Sequence, residues 1–123
     1  MKIRILGNSV RFRLTKSEVA ELCNSGRVEE KTEFEETTFY YSVSLSESTD
    51  RLSAEFTNNH IALFLPNSEG VNWATDERVG FSRDMDTAGG GKITLLLEKD
   101  YACLEPRGED ESDQYPNPKA RLD

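Results

Sequence analysis

The chain has 123 residues, with 23 acidic against 15 basic side chains, a net charge of −8 and a pI near 4.7. That length suits one domain with an ordinary core. The negative surplus excludes nucleic acid and anionic membrane as expected partners, since phosphates would be repelled unless a strong local basic patch intervened.

No segment reaches the roughly 18 consecutive apolar residues that a membrane helix needs. The opening Lys2-Ile3-Arg4-Ile5 alternates charged and apolar residues and is not a signal-peptide core. The expected location is the cytoplasm, where Cys23 and Cys103 would stay reduced; two distant cysteines make neither a disulfide framework nor a zinc site.

The first 14 residues read as a hairpin. Ile3 and Ile5 alternate with Lys2 and Arg4, and Val10, Phe12 and Leu14 alternate with Arg11 and Arg13, each run with one buried and one wet face. Gly7-Asn8 makes a two-residue turn that sets Leu6 opposite Ser9. A helix over about 16–24 follows. Thr15-Lys16-Ser17-Glu18 is a capping box, Leu14 and Val19 form a hydrophobic staple, and Gly26 ends the helix in the left-handed conformation. Val19, Leu22 and Cys23 supply its apolar stripe.

Strands then dominate. Val28, Thr32 and Phe34 mark a third run, Phe39 to Leu45 a fourth, Leu52, Ala54 and Phe56 a fifth, and Ile61, Leu63 and Leu65 a sixth. The turn-prone Asn58-Asn59 joins the last two. Pro66 stops the sixth run, and a short helix over about 67–75 carries Val71 and Ala74, with Trp73 to plug an opening. Val79 and Phe81 mark a brief seventh strand. Asp86 to Gly91 is a flexible loop, and Ile93 to Leu97 is the most buried strand. No internal repeat is legible.

These elements predict a strand-dominated α+β domain over 1–104. Its eight or so antiparallel strands would form a sandwich or, as the favoured reading, a curved sheet or barrel with the first helix on one end. Residues 105–123 hold three of the four prolines and many acids, and form a tail that is either docked or disordered.

Two constellations are candidates for chemistry. In the hairpin register Arg4 lies opposite Arg11 and Lys2 opposite Arg13, so four cations share one face; like charges across strands are unfavourable and call for an acidic partner. That partner is a phosphate or carboxylate ligand, the acids from Glu29 to Glu36, or the tail. The second is a low-symmetry cluster of Cys103, Glu109, Asp110 and Asp113, which offers hard carboxylate ligands for a cation but neither EF-hand spacing nor a zinc-ligand pattern. The plainer reading is a charged tail strapped to the sheet, with Glu109, Asp110 and Asp113 near Arg4, Arg11 or Arg13. Cys103 and Cys23 read as small buried apolar groups. His60, the only histidine, is expected on the surface beside a tight turn, with no marker for a nucleophile. Gly89-Gly90-Gly91-Lys92 leads into a strand, so it is a hairpin loop and not a phosphate loop.

The stretch from Lys2 to Val19, and the ending Glu98-Lys99-Asp100-Tyr101-Ala102-Cys103-Leu104 with Glu109-Asp110, Asp113 and Tyr115-Pro116-Asn117-Pro118, resemble the two end blocks of an uncharacterised family of small bacterial proteins. The resemblance implies a bacterial, cytoplasmic, single-domain protein and supplies no catalytic residue, cofactor or substrate. The expectation is a non-enzymatic binding or interaction module with a protein partner or a second copy of the chain. The alternatives are a barrel protein or enzyme that binds a phosphate- or nucleotide-like anion through Lys2, Arg4, Arg11 and Arg13, and a metal site at Cys103 and the tail carboxylates.

Overall fold

The computed structural model describes residues 1–101 and 112–116. In chain order the elements are β1 (Lys2–Ile5), β2 (Ser9–Leu14), α1 (Lys16–Ser25), β3 (Arg27–Glu33), β4 (Thr38–Ser46), β5 (Ser53–Thr57), β6 (His60–Pro66), α2 (Asn67–Gly70), β7 (Gly80–Asp86) and β8 (Lys92–Lys99).

The local signals translate directly into structure. Leu6 and Ser9 exchange backbone hydrogen bonds around Gly7-Asn8, with Gly7 at φ +56. Asn58 and Asn59 both adopt positive φ between β5 and β6, which asparagine tolerates better than most residues. Thr15 and Glu18 form the reciprocal capping box, and Gly26 closes α1 at φ +83 with its N–H on the Leu22 carbonyl.

The strands do not form a barrel or one curved antiparallel sheet. They form two four-stranded mixed sheets, ordered β1-β2-β8-β7 and β3-β4-β6-β5. Each sheet consists of two antiparallel hairpins whose second strands lie side by side and run parallel, β2 with β8 and β4 with β6. Polarity sorts the strands. The apolar β6 and β8 take central places, with one face on the core and the other only partly exposed between neighbouring strands. The charged β3 takes an edge, as do β1, β5 and β7.

One core cluster draws on both sheets and both helical segments, including Phe12, Leu14, Leu22, Val43, Leu63, Leu65, Trp73, Leu95 and Leu97. Phe12 of β2 meets Tyr41 of β4 edge to face, with ring centroids 6.4 Å apart. The helices share one end of the molecule, where the Cys23 thiol of α1 donates to the Gly70 carbonyl of α2.

Three expectations are corrected. The second helix ends at Gly70, a single turn whose start at Pro66 has no side-chain cap, and turns carry the chain on to residue 75. Trp73 still acts as a plug: it is fully buried, and its indole donates to the Arg78 carbonyl at 2.7 Å. The seventh strand is seven residues long rather than brief, since it pairs with β8 from Gly80 to Asp86.

The third correction concerns repetition. The chain runs hairpin, helix, hairpin twice, as β1-β2-α1-β3-β4 and β5-β6-α2-β7-β8. Exchanging the halves maps one sheet onto the other with its register intact. The row Ile3–Phe12–Leu97–Phe81 matches Ala54–Leu63–Val43–Val28, and Leu14–Lys99 matches Leu65–Leu45. Ser17-Glu18 and Ser68-Glu69 hold the same place at the start of each helix, followed by buried Val19 and Leu22 in one and by buried Gly70 and Trp73 in the other.

Candidate binding face

The four basic residues of the first hairpin lie as the register requires. Lys2 is opposite Arg13, Arg4 is opposite Arg11, and all four project from the outer face of the first sheet, away from the core. They border a surface groove of about 320 Å³ that lies outside the sandwich, not in a barrel interior.

Their acidic neighbours come from β8 and the residue after it. Glu98 follows Arg13 in the parallel register, and one of its oxygens lies 3.3 Å from Arg11 Nε and 3.9 Å from Arg13 Nε. Lys2 Nζ is 3.4 Å from Asp100, a buried carboxylate that also accepts from Gln114 Nε2 at 2.9 Å. Arg4 is exposed and forms no ion pair among the described residues. The site therefore holds two guanidiniums around a single carboxylate oxygen and a third beside them without a carboxylate partner among the described residues. Arginine suits this role because its fixed fork of donors matches planar oxyanions.

The described residues of the tail, 112–116, lie elsewhere than expected. Asp113 does not approach the arginines. It sits on the N-terminus of α1, where its carboxylate accepts from the Ser17 amide at 3.2 Å and the Ser17 hydroxyl at 2.6 Å, and its carbonyl accepts from the Lys16 amide at 3.0 Å. A helix N-terminus presents free N–H groups and partial positive charge, so a carboxylate is well placed there. The Ser17 hydroxyl holds the Asp113 carboxyl below its ordinary range. Next to it, Tyr115 donates its amide to the Asp100 carbonyl and bridges Tyr101. Burial pushes its phenol up to about 12. The buried Lys99 ammonium beneath it donates to the Asp76 carbonyl at 2.8 Å and lies 5.0 Å from the Tyr115 ring centroid. Cys103, Glu109 and Asp110 lie outside the described residues, and among the described residues no cluster of metal-ligating side chains forms.

His60 is half-buried rather than at the surface. Its Nε2 lies 2.7 Å from Ser42 Oγ and 3.7 Å from Glu29. Serine and carboxylate thus approach the same ring nitrogen, whereas an activated nucleophile needs its acid on the other one. Ser42 is also fully buried, so no substrate reaches its hydroxyl. Cys23 packs against the core, and the triple-glycine segment turns between β7 and β8 as a hairpin loop.

Sequence reading missed a second basic group. Arg51, Arg78 and Arg83 border one small cleft beside the edge strand β7. They come from three separate segments, and the only local clue is Arg83, which interrupts the alternation of Phe81 and Met85.

Fold and surface together define a two-sheet α+β domain with an outward cationic face. A model of a family of unknown function, DUF7009, matches residues 1–119, and the chain belongs to that family. No curated protein and no solved structure matches the chain. No helix among the described residues is long and apolar enough to cross a membrane.

Proposed function

We propose that this protein is a non-catalytic binding module whose contact surface is the outer face of Lys2, Arg4, Arg11 and Arg13, and that it docks a carboxylate-rich segment of a protein partner. The observation that carries this reading is Glu98: one carboxylate oxygen bridges two guanidiniums, with Arg4 next in the row and open to a further acid. An acidic protein segment fits better than nucleic acid. The footprint is only four cations wide, which matches a short run of carboxylates, whereas a long polyphosphate backbone would run past it onto a chain of net charge −8. The resemblance of the terminal blocks to small bacterial proteins supports a bacterial, cytoplasmic setting.

The test is fluorescence anisotropy of a labelled oligo-glutamate peptide at low ionic strength. Binding should weaken at least tenfold in R4Q/R11Q and should fall with added salt. A peptide bound equally well by R4Q/R11Q, or not bound at all, would overturn the reading.

A further inference from the structure

The cleft beside β7 carries an inference independent of the basic face. It encloses about 140 Å³. Whole small molecules occupy sites of roughly 300 Å³ or more, so this space suits one charged group and not a nucleotide or a sugar.

Arg83 is the residue that calls for explanation. It pairs with Leu95, between Phe81 and Met85, at an inward-facing position of the strand. Its Nη1 donates to the Leu52 carbonyl at 3.0 Å, which ties β7 to the segment before β5. Its Nε is buried and has no acceptor. Arg78 is fixed alongside: its guanidinium carbon lies 4.1 Å from the Phe81 ring centroid, its Nε donates to the Gly80 carbonyl, and Glu69 is 3.8 Å away. Arg51 is exposed at the rim and forms no ion pair among the described residues. Asp50 and Glu69 also line the cleft, leaving three guanidiniums against two carboxylates.

Preformed guanidiniums with spare donors around a space of one functional group are the chemistry of an oxyanion site. We propose that this cleft binds a single phosphoryl or carboxylate group, with Arg51 and Arg83 as its donors and Arg78 held beside them by Phe81. The competing role for Arg83 is that of an edge guard, since inward-pointing charges on edge strands block sheet-to-sheet pairing.

The experiment is a thermal-shift and calorimetric titration of the full chain with inorganic phosphate, with acetate as the carboxylate arm and chloride matched for ionic strength. A saturable rise in melting temperature with phosphate assigns a phosphoryl site; a rise with acetate alone assigns a carboxylate site. Affinity should drop at least tenfold in R51Q and R83Q and stay unchanged in K31Q, a change at an exposed lysine of the other sheet. If R83Q does not fold, R51Q, altered at an exposed side chain, carries the test. The inference is overturned if neither anion shifts melting, if binding is lost in R4Q/R11Q instead, or if R83Q self-associates while it and R51Q bind phosphate as well as the parent chain.

Discussion

The outer faces of the two sheets occupy equivalent places in the repeat and carry different chemistry. Lys2, Arg4, Arg11 and Arg13 on the first sheet correspond to Ser53, Glu55, Ala62 and Phe64 on the second, at the same cross-strand pairings. The inward rows, by contrast, are apolar on both: Ile3, Phe12, Leu97 and Phe81 against Ala54, Leu63, Val43 and Val28. Because side chains alternate between faces, packing constrains one set of positions and leaves the other free. The four cations are therefore not required by the scaffold, whose other copy does without them. The charged inward positions on the edges differ too. Glu30 of β3 is exposed, while its counterpart Arg83 of β7 is drawn in to the Leu52 carbonyl.

The equivalence of the two helices is the easiest part of this comparison to break. Trp73 and Leu22 hold matching, fully buried positions. Trp73→Ala should cost about 3–5 kcal/mol and Leu22→Ala about 2–5 kcal/mol in urea unfolding. A cost below about 1 kcal/mol at Trp73 would show that the second helical segment does not close its end as the first does. Gly70→Ala comes next. An added Cβ would fall 2.4 Å from Leu45 Cδ2 and 2.7 Å from Leu65 Cδ2, and such overpacking should destabilise by about 1–3 kcal/mol. Removing bulk at the matching Val19 should also destabilise, so the two positions want opposite sizes.

Surface changes are smaller. Glu98→Gln removes the carboxylate between Arg11 and Arg13 and should cost about 0–1 kcal/mol, as part-exposed ion pairs do. Arg4→Gln should leave melting unchanged; a clear loss would mean that the basic face supports the fold after all. Acid titration separates the helices. The folded pKa of Asp113 is lowered, first by the Ser17 hydroxyl. Its contribution is thus present above the ordinary value of 3.8 and is lost as pH falls through the lowered one. Hydrogen exchange at the Ser17 amide should rise in that acid range and be raised already at neutral pH in D113N. The start of α2, which has no side-chain cap, should not respond.

What could be read from the chain was local. The first hairpin, its cationic pairs, the capping box and the Asn58-Asn59 turn each depend on residues within a few positions of one another, so register and charge placement follow from pattern alone. The parallel pairs β2 with β8 and β4 with β6 join distant segments, and no period-2 signal distinguishes them from antiparallel neighbours. The acids that meet the basic face, Glu98 and Asp100, lie near the far end of the chain for the same reason. The full length of β7 is hidden in the sequence because Arg83 breaks its apolar alternation. The repeat is hidden in the sequence because the halves share inward polarity and few identities, with Val19 and Leu22 standing where Gly70 and Trp73 stand in the other copy.

The nesting of the two sheets bears on how the chain assembles. All four strands of the β3-β4-β6-β5 sheet lie in the continuous stretch 27–66, whereas the other sheet clasps the first hairpin to the last, setting Phe12 beside Leu97. Closing the longer loop costs more chain entropy and slows contact formation. During synthesis the inner sheet has its full set of strands well before β8 emerges, while Val10, Phe12 and Leu14 wait for their partner. The first hairpin is thus made before the inner sheet and secured after it, and its apolar face stays open to aggregation in that interval.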